Sequence, residues 1–200
     1  MKTALLTSFF LLGLSGCGLV VQNPSSAYSP VNAQSSAESS RLMLQGYDVV
    51  AYFTDNQARQ GDKAHRSQYA ATDFYFASST NKTLFDASPE KYLPQFGGFC
   101  ANGILYAIPM GGDPGFWRIY DEKLYIFGSE RSIKAFELDR ERHLQLAHAY
   151  WNDEIAGHNS VPRRYWRMLW RVPHYKSSQQ IIDEVSAWEA RQGTQQGQPQ

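Results

Sequence analysis

The chain carries no surplus of charge of either sign: 19 Lys and Arg offset 19 Asp and Glu over 200 residues. Binding the nucleic-acid backbone draws on a basic excess that releases counterions from phosphate, and this balance leaves no footprint of it. Cysteine is nearly missing, with Cys17 and Cys100 the 2 examples. No apolar run reaches the roughly twenty residues that span a bilayer comfortably. The motifs of several reaction classes are also absent. The glycine-rich residues 111–115, GGDPG, lack the Lys-Ser/Thr of a phosphate-cradling loop and read as a loop between structural units. There is no G-x-S-x-G nucleophile elbow and no H-E-x-x-H zinc helix. His143 and His148 stand about 140° apart on a helical wheel, so they cannot chelate from one face. His65, His158 and His174 are isolated in sequence. The acidic pair Asp153-Glu154 sits at a helix end and reads as solvated. No catalytic constellation emerges, and the expectation is a non-enzyme.

What is present starts with a hydrophobic content of 42%, enough for one globular core. The aromatics, 14% of the chain, fall mostly after residue 40. Ahead of them, residues 1–16 read as a signal peptide, with Lys2 before an apolar run over residues 4–14. Leu14-Ser15-Gly16-Cys17 matches the bacterial lipobox, so Cys17 is the expected lipid attachment, where palmitate and other acyl chains give stable anchoring. Gly18, rather than an Asp, follows it. By the sorting rule of double-membrane bacteria, that points to an outer-membrane lipoprotein facing the periplasm, or to the cell membrane in a single-membrane bacterium. Residues 17–40, rich in Ser, Ala, Asn and Gln, read as the lipidated Cys and a flexible tether. The folded domain is expected over residues 41–175, an amphipathic helix over 176–192 and a disordered tail over 193–200.

Within the domain, Gly46 breaks the chain and Asp48 caps the turn into Val49 and Val50. Residues 65–70 and 73–77 read as a hairpin whose join around Ala71-Thr72 lacks the usual Gly or Asn, which leaves its register open. Ser78 or Ser79 then caps a helix presenting Leu84 and Phe85. Ser88-Pro89 opens a short second helix with Ser88 as its cap. The plan recurs: residues 116–120 and 123–127 form a hairpin turning at Asp121-Glu122, and Ser129 caps a helix through Ile133 and Phe136. FYFASSTNKTLF and LYIFGSERSIKAF align with a one-residue slip, which makes a ββα duplication a candidate. The fold class is therefore α+β, small antiparallel hairpins each followed by a helix, with C-terminal helices. Residues 141–155 carry the clearest helical face, Leu144, Ala147, Trp151 and Ile155. The segment RRYWRMLWRVPHYK admits a membrane or nucleic-acid patch, but aromatics packed on the domain with solvated Arg heads is the favoured reading.

GYDVVAYF at residues 46–53, the FYFASSTNKTLF unit, ASPEKYLPQFGGFCA at residues 87–101 and the later WRIY and LYIF strands together resemble bacterial YHS-domain-containing proteins. The resemblance runs from about Gly46 to about Trp151. It implies a small α+β domain, usually exported, with no established reaction. A metal-handling branch of the family places two cysteines between two aromatics. Here Phe76 and Phe85 fill the aromatic positions, but Ala77 and Asn81 stand where the thiols would be, so that metal site does not carry over.

Cys100 is the remaining thiol once Cys17 is acylated. It reads as a small buried residue held by the Gly97-Gly98 bend, or as a ligand for copper or another soft metal together with Met110 and a histidine, or as a nucleophile. Three functions stay open. The leading one is a lipid-anchored periplasmic YHS-domain module that binds a ligand or partner without catalysis and touches the membrane through its N-terminal lipid. The second is a periplasmic copper or heavy-metal binding protein using Cys100. The third is a structural envelope protein whose Arg/Trp segment contacts membrane or peptidoglycan.

Overall fold

The computed structural model describes residues 31–34 and 41–196. The expected signal peptide, Cys17 and most of the tether lie outside the described residues. The fold is α+β, and two ββα units in tandem form its centre. In the first, β3 (Asp62–Tyr69) and β4 (Thr72–Phe76) make a hairpin followed by α2 (Ser79–Ala87). In the second, β5 (Asp113–Tyr120) and β6 (Lys123–Phe127) are followed by α5 (Glu130–Glu137).

The two units match residue for residue. Pairing of Asp62 with Phe76 and Tyr69 with Thr72 recurs 51 positions later as Asp113 with Phe127 and Tyr120 with Lys123. Each hairpin breaks register at the same place, between Asp62 and Arg66 and between Asp113 and Trp117. Both turns are left-handed at their two central residues, Ala70 and Ala71 (φ 47° and 54°) and Asp121 and Glu122 (φ 48° and 58°), the sign pattern of a type I′ turn. Ser78 accepts from Asn81 N and Ser129 from Ser132 N, so each helix starts on the same cap. Phe85 and Phe136 then fill the same core position. The duplication is therefore structural, and the one-residue slip disappears: Tyr125, not Leu124, is the counterpart of Phe74.

It also begins earlier than the hairpins. Leu44-Gln45-Gly46 (φ 44°, 60°, 82°) is repeated by Phe96-Gly97-Gly98 (φ 55°, 59°, 78°). After each turn an isolated bridge forms, Tyr47 with Gln60 and Phe99 with Gly111. A short helix follows, α1 (Ala51–Thr54) or α4 (Ala101–Ile104). The backbone bond from Asp48 N to Arg59 O (2.8 Å) becomes Cys100 N to Met110 O (2.9 Å). The spacing changes from 52 to 51 between these partners, so the connection after α1 is one residue longer than that after α4. The GGDPG residues accordingly belong to the entry of β5 rather than to a loop between units.

One apolar cluster gathers Val49, Val50, Tyr52, Phe74, Phe76 and Phe85, and another Phe99, Ile104, Tyr125, Phe127, Ile133 and Phe136. Strand β6 joins them, because successive side chains leave a strand on opposite faces. Leu124 and Ile126 enter the first cluster, Tyr125 and Phe127 the second. Helix α6 (Arg140–Tyr150), a π-helical turn (Trp151–Ile155), α7 (Ser160–Leu169) and α8 (Ser178–Gln196) complete the second side. Ala147, Ile155 and Val172 are buried there, with Leu144 and Trp151 packed alongside.

Several expectations change. Residues 31–34, read as tether, join the fold: β1 (Ala33–Gln34) pairs with β2 (Leu42–Met43) in a sheet of order β1-β2-β4-β3. Asn32 Nδ2 donates to Gly98 O and Gly112 O, each at 3.0 Å. Polar composition hid this, since backbone and amide pairing needs no apolar residue. Leu84 is exposed, and α2 buries Asn81 and Phe85 instead. Ser88 precedes α3 (Pro89–Tyr92) but makes no side-chain cap bond. Helix α8 runs through Gln196, past the expected end at 192, as an established helix gains a hydrogen bond per added residue. Most sharply, Tyr165, Trp166 and Trp170 are exposed rather than packed on the domain.

Candidate functional site

The tandem units place two different residues at one architectural position. In the first unit, Asp48 is wholly buried, and its carboxyl group accepts four bonds. Oδ1 receives Val50 N (2.8 Å) and Ala51 N (3.3 Å), capping α1, and Oδ2 receives Ala77 N (2.8 Å) and Asn81 Nδ2 (2.7 Å). A buried acid without a cationic partner persists only with such a set of donors. Ala77 serves this carboxyl group through its backbone N–H and Asn81 through its side-chain amide.

In the second unit the counterpart of Asp48 is Cys100. Its Sγ accepts from Gly128 N at 3.2 Å, the counterpart of Ala77 N. The N–H groups of Asn102 and Gly103 and the hydroxyl of Ser132, the counterparts of Val50, Ala51 and Asn81, also bear on the thiol and favour its ionised form. Burial outweighs them and pushes the Cys100 thiol above its ordinary range. Cys100 is thus a neutral, hydrogen-bonded thiol in the place of a structural carboxyl group. The small-buried-residue reading holds for its packing, yet the Gly97-Gly98 bend is only part of what holds it.

The surroundings of the two positions differ. Beside Cys100 lies a cleft of about 510 Å3 between the second unit and the C-terminal arm. Cys100, Asn102, Gly128 and Ser132 are at one end; Tyr106, Ile108, Tyr175 and Ile181 form apolar walls. Met110 and Met168 also line it, as do Arg171 and Lys176. Asn102 lines the cleft, and its Oδ1 is buried with no partner among the described residues. Ser129 and Ser132 bond each other through their hydroxyls (3.0 Å). Arg171 lies over the Tyr175 ring at 4.3 Å, and Lys176 pairs with Glu184 at 2.5 Å.

Of the residues singled out from sequence, Cys100 and Met110 are brought to this one cleft, Met110 half exposed at 50%. The histidines are not. His143 Nδ1 bonds Phe136 O (2.8 Å), His148 Nε2 bonds Tyr125 Oη (3.1 Å) and His174 Nε2 bonds Leu105 O (2.9 Å). Burial lowers the pKa of both His143 and His148. His65 lies on β3 and His158 bonds Ala156 O (3.1 Å). A Cys100–Met110–histidine set is therefore not assembled, and among the described residues no group of three or more His, Cys, Asp or Glu converges. Glu154, expected to be solvated, pairs with Arg167, with Nε at 2.9 Å from Oε2. Sequence reasoning missed Asn102, Met168 and Arg171. Alignment of GYDVVAYF with GFCANGIL would have paired Asp48 with Cys100, but nothing local announces that α7 and the segment after it close over the second unit. Comparison with family models, with curated proteins and with solved structures finds no match to this chain.

Proposed function

We propose that the chain is a lipid-anchored, YHS-like binding module of the bacterial envelope, without a catalytic role, that holds a small amphipathic ligand in the cleft beside Cys100. One observation carries this reading. The position that the first unit seals with a structural carboxyl group opens, in the second, onto a cleft with an unpartnered buried acceptor. Its size falls within the roughly 300–1,000 Å3 usual for small-molecule sites, with apolar walls and few polar groups. A ligand of this class would donate a hydrogen bond to Asn102 Oδ1, lay its apolar body against Ile108 and Ile181, and direct an anionic group to Arg171. The expected membrane link is Cys17. Its test is separate: loss of palmitate labelling in Cys17→Ser.

Anilinonaphthalene sulfonate, an anionic aromatic with an N–H donor, is a suitable probe. Its fluorescence should report one site per chain, lost in Met110→Trp, which fills the half-exposed side of the cleft at little cost to folding. Binding should persist in Trp166→Ser/Trp170→Ser, which alters an exposed surface elsewhere. Binding indifferent to Met110→Trp would overturn the reading.

A second reading has its own support: Cys100, Met110 and Met168 bring three sulfur side chains to one cleft, a donor set suited to Cu(I). The metal would have to displace the proton of a thiol that burial keeps protonated. Titration with Cu(I) against a chromogenic chelator should then show one tight site, lost in Cys100→Ser and weakened in Met110→Leu and Met168→Leu. Failure of all three variants to change Cu(I) affinity would exclude it.

A further inference from the structure

Helix α7 turns its apolar side away from the protein. Tyr165, Trp166, Leu169 and Trp170 are exposed at 67%, 56%, 74% and 58%, and Met168 at 52%. At about 100° per residue, Pro162, Tyr165, Trp166, Leu169 and Trp170 fall within one sector roughly 140° wide. The opposite side is bound to the domain by polar groups. Ser160 is fully buried, Arg164 Nε donates to Pro109 O (2.8 Å) and Arg167 pairs with Glu154. Asn159 Oδ1 caps the helix by accepting from Val161 N (3.0 Å). These ties fix which side faces inward. Trp166 and Trp170 contact each other, ring centroids 5.9 Å apart.

Five large apolar side chains in a row of six residues are more than the scattered exposure normal for a soluble surface. Their type and setting identify the occupant. Trp and Tyr, with an apolar ring and one polar atom, favour the boundary between water and hydrocarbon. Residues 159–177 contain Arg163, Arg164, Arg167, Arg171 and Lys176 and not a single Asp or Glu. Arg163 borders the apolar sector and makes no ion pair among the described residues, so the rim is positive where an anionic headgroup would lie. The expected lipid at Cys17 precedes the first described residue, Val31, by 14 positions. Covalent geometry alone limits 14 positions to a span of about 50 Å at most, so the domain stays within reach of the bilayer. No described helix is long and apolar enough to cross a membrane, so contact through α7 would be at the surface.

We propose that α7 is a membrane-docking helix, lying on an anionic phospholipid surface with Tyr165, Trp166, Leu169 and Trp170 in the headgroup boundary and Arg163 on phosphate. The tether-length argument rests on the lipid-anchor reading; the surface itself does not. The test therefore uses the chain from residue 18 onward, which carries no lipid and keeps every described residue. With vesicles of equal parts phosphatidylglycerol and phosphatidylethanolamine, it should co-sediment and its tryptophan emission should shift to the blue. Trp166→Ser/Leu169→Ser/Trp170→Ser should bind about tenfold more weakly or worse, with circular dichroism and Tm unchanged. Added salt, or phosphatidylcholine as the sole lipid, should weaken the wild type. Four results would overturn the proposal: no sedimentation with anionic vesicles; equal binding by the triple variant; a concentration-dependent dimer without vesicles that the same substitutions abolish; or retention on peptidoglycan sacculi with none on vesicles.

Discussion

Asp48 and Cys100 occupy one position in two copies of a structure, and this makes their substitution chemistry predictable. Asp48→Ala would strand the N–H groups of Val50 and Ala51 and the amide of Asn81, all buried. Each orphaned donor costs about 1–3 kcal/mol, so the loss should be at least ~3 kcal/mol. Cys100→Ala removes a weak sulfur acceptor and a small volume, and should cost about 1–2 kcal/mol. Cys100→Asp is the decisive variant. A carboxylate put at an ordinary buried cysteine unfolds a domain, but here the N–H groups of Asn102, Gly103 and Gly128 and the Ser132 hydroxyl stand ready to receive it. Urea unfolding should place Cys100→Asp nearer wild type than Asp48→Ala; collapse of Cys100→Asp would show that the second nest does not accept a carboxylate.

At the scale of elements, the two hairpins carry the same unfavourable turn. Ala70 and Ala71 are held at positive φ, where an L-residue pays roughly 1–2 kcal/mol. The flanking strands and the packing of Phe74 and Phe76 on Phe85 hold them there, with ring centroids 4.7 and 5.1 Å apart. Such turns favour Asn-Gly, and Ala70-Ala71 gives no such signal, so the register was illegible locally and came from long-range pairing. Ala71→Gly relieves the strain while adding some freedom to the unfolded chain, a net gain of about 0.5–1 kcal/mol. Thermal melts should show a raised Tm, and a lowered one would refute the strained-turn account. Helix starts were far more legible. Ser78 and Ser129 advertise themselves because a cap is a local bond between residues three apart.

The whole molecule is held together on its second side by helices contributed after the duplication ends. His143 and His148 fasten α6 to that side, one to Phe136 O and the other to Tyr125 Oη, and His148 also packs on Phe96 at 4.9 Å. Burial depresses both pKa values below 6.5. With folded values below unfolded ones, the unfolded chain binds more protons in this range. Stability is complete above about pH 6.5 and falls as pH drops through the folded values. Tm should decline on acidification below pH 6.5, and the decline should be shallower in His143→Gln and His148→Gln. An unchanged slope in both would separate these histidines from the acid sensitivity.

By itself the sequence determined the α+β class, the Ser129 cap, the Phe85 and Phe136 core positions and the recurrence of a hairpin-then-helix plan. All of these follow from periodicity or from bonds between near neighbours. Tertiary structure decided the rest. It brought residues 31–34 into the sheet through Asn32, matched Cys100 to Asp48 across 52 positions, and set Met168 and Arg171 beside Cys100. It also turned α7 outward, because Arg164 and Arg167 found Pro109 O and Glu154 on the domain. A helical wheel shows that Tyr165, Trp166, Leu169 and Trp170 share a side. Which way that side faces depends on partners far away in the chain, and no local pattern encodes them.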